Sequence, residues 1–331
     1  MLITPNYDSL TAELQKIFND FSRTTIAKQE GMKIFGVETT ELLDYKLQLL
    51  HGVDGVVLVA EGADYPSTSG KQGDSITFTQ LTYGRTISVT KKIRKFWRTE
   101  NGKVSKSVKS TTQTTFDRID ISMADRLMNG WSTSYVDVFG QTVSAVCPDG
   151  LALFHVDHTN AANSTTFSNI IVEDSTSNPT LSRKALVQTI ATARKFTRPI
   201  NDTEKNVSAP VELDTLLLGP DLFDAATRLI KTAKLPGSAN NDTNESIAHL
   251  NIKLWNRLAA TAAGVSRSAY WYMYDSEQVG ETLMALFSQK PQFYEPEEQN
   301  RSKNWDYTID TYYVLGNGWP AFVYGSTGVN A

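Results

Sequence analysis

The stretch KVSKSVKSTTQTTFDRIDISMADRLMN, residues 103–129, has the longest unbroken helical rhythm in the chain. Val104, Val108, Thr112 and Phe116 recur every four residues, and Ile119, Met123 and Leu127 continue the row in steps of three and four. That spacing lines one narrow stripe of a helix and leaves Arg118, Asp120, Asp125 and Arg126 off it. Gly102 stands before the expected start, and Asn129-Gly130 offers a left-handed stop past the end. Thr111, Thr112, Thr114 and Thr115 are poor helix formers, so neighbouring elements must hold the middle straight. A long helix that depends on its neighbours is a spine, and it suggests a tile rather than a pocket.

Outward from the spine, 331 residues suffice for a sizeable core in one large domain or two smaller ones. A net charge of −4 argues against a protein whose main task is gripping nucleic acid. The lone Cys147 excludes an intramolecular disulfide and fits a reducing compartment. No apolar run approaches the ~20 residues of a membrane span, so no membrane partner is expected.

Residues 8–21 read as an amphipathic helix capped by Asp8, with Leu10, Leu14, Ile17, Phe18 and Phe21 on one face. That face packs back on its own domain or docks on a neighbouring subunit. Val53–Ala60 reads as a strand, residues 62–73 as a Gly/Pro/Ser loop, and Ile76 to Val89 as returning strand, together a hairpin with a loose tip. Lys91, Lys92, Arg94, Lys95, Arg98, Lys103, Lys106 and Lys109 then face a single acid, Glu100. Such a run is a solvated face, or it meets nucleic acid or the acidic Glu295, Glu297 and Glu298 of another copy.

Further on, Leu181–Phe196 predicts a helix capped by Ser182, Val211–Leu218 a buried strand, and Pro220 the first residue of another helix. Ala269–Asp275 and Trp305–Leu315 alternate as strands, and Asn317-Gly318 predicts a hairpin turn into Trp319–Tyr324. Helices and strands mix without regular alternation, so the fold class is α+β.

Catalytic signatures are sparse. Gly62 and Gly70-Lys71 are too far apart for a phosphate loop, and Gln72 stands where Ser or Thr would reach magnesium. The one cluster with metal-binding chemistry is Cys147, His155, Asp157 and His158, whose spacing matches no usual zinc pattern. No catalytic residue and no cofactor are expected.

The order of elements carries a resemblance. The hairpin, then Tyr83-Gly-Arg-Thr-Ile-Ser-Val-Thr90, the spine, Asp149-Gly-Leu-Ala-Leu-Phe-His155 with His158, and the closing strands from Asn304 to Gly325 resemble the major capsid proteins of tailed bacteriophages. Within that family the similarity is to a branch with Gly150, Leu153, Phe154 and His158 at these spacings. The resemblance implies a Hong Kong 97-like capsid fold. Its parts would be an N-terminal arm (1–50), an extended β-hairpin loop (51–97), a peripheral domain with the spine helix (98–204), an axial domain (205–283) and return strands (284–331). It also implies hexamers and pentamers of identical subunits forming an icosahedral virion capsid, assembled in the bacterial host cytoplasm. Portal and possible scaffolding or decoration proteins would be partners, and packaged double-stranded DNA would be held weakly inside. Tyr65, Lys71, Asp74, Lys91, Lys92, Arg94, Arg98, Glu295, Glu297 and Glu298 are the expected inter-subunit contacts. Two other readings stand beside it: an encapsulin-like compartment, and a metal-dependent enzyme using Cys147, His155 and His158.

Overall fold

A computed structural model describes residues 6–51, 71–159, 166–199, 206–232, 244–259, 261–262, 265–298 and 303–329, with four more positions between 52 and 70. The spine helix runs from Trp97 to Met128, six residues further back than its apolar stripe suggests, and Gly102 lies inside it. The stripe is where the spacing puts it: Val104, Val108, Thr112, Phe116, Ile119, Met123 and Leu127 are all buried. The stop differs. Asn129 has φ −101°, so the helix ends without a left-handed residue there. Gly130 serves another purpose, since a Cβ on it would stand 2.6 Å from the Phe154 ring.

Two sheets pack on the spine. In the first, Leu283–Phe293 pairs antiparallel with Trp305–Asn317 and parallel with Gly36–Thr39. Leu81–Val89 and Glu297–Glu298 also pair with Trp305–Asn317. Along that long strand Trp305, Tyr307, Ile309, Thr311 and Tyr313 are buried, while Asp306, Thr308, Asp310 and Tyr312 lie on the other, half-open face. In the second sheet the order is Asn251–Leu254, Thr215–Leu218, Trp271–Tyr274, Val323–Ser326. Its middle strands are buried on both faces. Leu217, Tyr272 and Tyr274 join the core around the spine, and Leu216, Leu218, Trp271 and Met273 join a second core under the helices Arg183–Arg194 and Pro220–Lys231. Ser182 caps the first of these helices through Ala185 N–H, as its sequence predicts.

Other sequence expectations change as well. The N-terminal helix spans Asn6–Ile26, so Asp8 lies within it rather than capping it. The helix also packs on its own chain: Leu10, Leu14 and Phe18 share a core with Val104, Val108, Phe293 and Tyr307. The first strand of the hairpin is Asp44–His51, paired with Lys71–Thr79, whereas Val53–Ala60 lies almost wholly outside the described residues. Leu81–Val89 belongs to the main sheet. Finally, Asn317-Gly318 does not close a hairpin. The chain passes there from one sheet to the other, because Gly318 N–H donates to Thr282 O at 2.8 Å and a Cβ on Gly318 would meet Glu281 O at 2.0 Å.

Candidate functional site

The segment Cys147–Thr159, which holds the metal-like cluster, is folded as a clasp. Asp149 Oδ1 accepts the N–H of Leu151 at 3.1 Å, and Gly150 takes φ +80°, turning the chain back on itself. His158 is wholly buried, with Nδ1 2.7 Å from Asp149 Oδ2 and Nε2 3.1 Å from Leu153 O. A carbonyl only accepts, so Nε2 is a donor, and the short Nδ1–Oδ2 contact requires a proton between the two groups. Burial raises the Asp149 pKa, but the hydrogen bond and charge of His158 and the N–H groups of Leu151 and Thr159 bring it below the ordinary carboxylate value.

These contacts engage several of the candidate ligand atoms. His158 has both nitrogens engaged, His155 Nδ1 accepts the Asp157 N–H at 3.1 Å, and the Cys147 thiol is buried, which pushes its pKa up. Among the described residues no three His, Cys, Asp or Glu side chains are grouped to hold a metal ion. The Gly150, Leu153, Phe154 and His158 pattern is thus a packing device. Phe154 stacks on Tyr272 at 5.6 Å and lies 4.5 Å from the Trp131 ring, and Gly130 and Gly325 leave room for it. Asn169 ties the clasp to the C-terminal strands: Nδ2 donates to Leu153 O at 2.7 Å and to Pro320 O at 3.0 Å, while Oδ1 accepts His155 N–H. No sequence signal singles out Asn169; it sits in a turn-rich run with many polar residues.

The charged surfaces behave differently. Glu295, Glu297 and Glu298 are exposed and line an open trough of about 910 Å³ with Asp306, Asp310, Thr86 and Tyr312. The trough lies on the half-open face of the first sheet. On the opposite face, beside the spine, Lys106 and Arg85 line a groove of about 460 Å³ with Ser107, Ser110, Thr111 and Thr114. The acidic trough and the groove of Arg85 and Lys106 therefore lie on opposite faces of the sheet, and Glu298 pairs with Lys303 of its own chain at 3.6 Å. Lys91 and Lys92 are exposed on the short helix Lys91–Lys95, which Thr90 caps. Arg94 and Arg98 follow in helical backbone, with their side chains, like that of Lys71, outside the described residues. Tyr65 is exposed and Asp74 half-buried on the hairpin.

The hairpin itself is a two-stranded ribbon that pairs with no other strand among the described residues. Its foot is packed on the body, where Phe78 meets Met284 and Leu286 with Tyr45, Leu47 and Ile76 alongside.

Neither a protein-family model nor a curated protein matches the chain. Solved structures do align with it. A virus-like particle from Pyrococcus furiosus is 7% identical over 95% of this chain and 98% of that one, with a TM-score of 0.48. A phage-related protein from Bordetella bronchiseptica RB50 is 13% identical over 95% and 98%, with a TM-score of 0.49. The procapsid of bacteriophage JBD30 is 13% identical over 98% and 76%, with a TM-score of 0.45. At such identities no residue's role passes from those proteins to this one.

Proposed function

We propose that the chain is a shell subunit, a major capsid protein of the Hong Kong 97 type. It would close with identical copies, as hexamers and pentamers, into an icosahedral virion capsid around double-stranded DNA. The observation that carries this reading is the ribbon of Asp44–His51 and Lys71–Thr79, whose two outer edges are unpaired among the described residues. A two-stranded ribbon is marginal alone in water, and bare strand edges persist in soluble proteins mainly where something covers them. A neighbouring copy is the cover the reading supplies.

The same reading assigns an N-terminal arm, an extended loop, a peripheral domain built on the spine, an axial domain around Thr215–Leu218 and Trp271–Tyr274, and return strands. The acidic trough and the basic run are assigned to contacts between different copies, with Lys91, Lys92, Arg94 and Arg98 meeting Glu295, Glu297 and Glu298. The near-balanced net charge suits a wall that contains DNA while making few fixed phosphate contacts. Portal and scaffolding proteins are the further partners of such a shell, and its role is structural. Negative-stain microscopy of the purified protein tests the reading: closed particles are expected, and deletion of residues 63–73 should leave soluble subunits or capsomers. Intact shells from the deletion variant would remove the loop from its assigned role, and a protein that forms no particles would remove the reading.

A further inference from the structure

The open side of the spine's first half carries a groove of about 460 Å³, and two elements build it. Residues along the strand Leu81–Val89 alternate between faces, so Thr86 lines the acidic trough while Arg85 lines the groove beside the spine. Ile87 and Val89, on the same side as Arg85, pack with Val104 and Val108 and hold the strand against the helix. The helix supplies the rest of the lining. Lys106, Ser107, Ser110, Thr111 and Thr114 stand at i, i+1, i+4, i+5 and i+8, which is one face.

The uncommitted groups of this groove can all donate. Arg85 and Lys106 are exposed and make no ion pair among the described residues, and no carboxylate shares the lining. The Ser110 and Thr111 hydroxyls are likewise unengaged there, whereas Ser107 Oγ donates to Lys103 O at 3.1 Å and Thr114 Oγ1 to Thr111 O at 2.9 Å. No apolar residue lines the groove, so it lacks the anchors on which protein interfaces are built. Arg, Lys, Ser and Thr are the side chains that hold phosphate oxygens, and they do so without reading a base. From Lys106 to Thr114 the helix covers about 12 Å, while phosphates of one strand step by about 3.4 Å of axis, so more than one can be met. The trough on the other face holds five carboxylates, of Glu295, Glu297, Glu298, Asp306 and Asp310, and repels the same ligand.

We infer that the groove of Arg85 and Lys106 binds the sugar-phosphate backbone of double-stranded DNA, and that this face of the subunit looks into the shell. The ligand follows from the groove's own donors, and the inward placement rests on the shell reading. Two cations make a weak contact in one subunit, and the many copies of a shell multiply it. Anisotropy of a short labelled duplex of mixed sequence, titrated with the unassembled protein over a range of salt, tests the assignment.

Arg85→Gln combined with Lys106→Gln should weaken binding about tenfold and reduce the slope of log affinity against log salt by about 2, close to 0.9 for each lost phosphate contact. Lys91→Gln with Lys92→Gln removes the same charge from the preceding short helix and should weaken binding less than about threefold. The charge-preserving pair Arg85→Lys and Lys106→Arg should bind as the wild type does. A groove variant that binds within about twofold of wild type, or no more weakly than the Lys91 and Lys92 variant, overturns the inference. It leaves the shell reading standing, since particles in the microscope decide that, whereas a protein that forms no particles loses the inward placement. A groove variant that binds DNA normally but assembles only at higher protein concentration overturns the inference too, and gives the groove to an acidic surface of a second copy. Lysine acylation of the wild type needs no variant to fold: the duplex should shield Lys106 and leave Lys91 reactive, and an unshielded Lys106 overturns the assignment.

Discussion

The two halves of the spine helix are built from similar residues and live in different surroundings. In the first half, Val104 and Val108 face the N-terminal helix and the long strand, while Lys103, Lys106 and Lys109 stay exposed. In the second half every side chain from Met123 to Met128 is buried, charged ones included. There the polar residues turn inward as ties. Asp120 accepts the Gly31 N–H at 3.0 Å on Oδ1, and the Trp255 Nε1–H at 3.4 Å and Arg257 Nε–H at 3.3 Å on Oδ2. Asp125 accepts the Val138 N–H at 3.1 Å, and Arg126 reaches Asn317 and Ser144. The same residue types thus act as a solvated face at one end and as the fastening of four chain segments at the other.

The sharpest way to break this contrast is Asp120→Ala. It leaves the Gly31 and Trp255 donors without their acceptor, while Arg257 keeps Asp117 at 2.6 Å, so about 3 kcal/mol of unfolding free energy should be lost in denaturant titration. A loss under about 1 kcal/mol would mean that the inward carboxylates are not ties. Asp149→Asn comes next, at about 2 kcal/mol, since its buried bond to His158 loses its charge. Because the folded Asp149 pKa is depressed, this stability is fully present above the ordinary carboxylate value and is lost as pH falls through the folded one. Wild type and variant should therefore converge in acid, and a gap that persists there would contradict the clasp. The smallest effect belongs to the first half. Thr114 is exposed on the helix surface, so Thr114→Ala should stabilise by about 0.5 kcal/mol through helix propensity alone. Destabilisation beyond about 1 kcal/mol would show that this stretch is packed too.

That contrast also explains what could be read from the residues alone. The stripe Val104 to Leu127 was legible because a helix repeats its faces at fixed spacing. The burial of Asp120, Asp125 and Arg126 was not, because periodicity marks which residues share a side and says nothing of how many neighbours wrap the helix. Trp305–Asn317 was legible for the same reason as the stripe: one face is buried and the other half-open, so its alternation is clean. Asn317-Gly318 misled because turn residues suit any tight place. Here the buried Asn317 amide donates to Ala145 O at 2.7 Å, and Gly318 passes close to Glu281. Tyr45 and Leu47 alternate with Lys46 and Gln48, a strand signal overshadowed by the more apolar Val53–Ala60. The cluster of Cys147, His155 and His158 looked chemical because metals and clasps draw on the same side chains. Only geometry separates a ligand from a hydrogen-bonded core histidine.

Everything proposed for the ribbon requires that identical copies finish what one chain leaves open. Sedimentation velocity of the purified protein over a wide concentration range measures this most directly. The shell reading predicts a discrete, fast-sedimenting particle population coexisting with free subunits or capsomers. A single boundary of the lone chain at every concentration would contradict it.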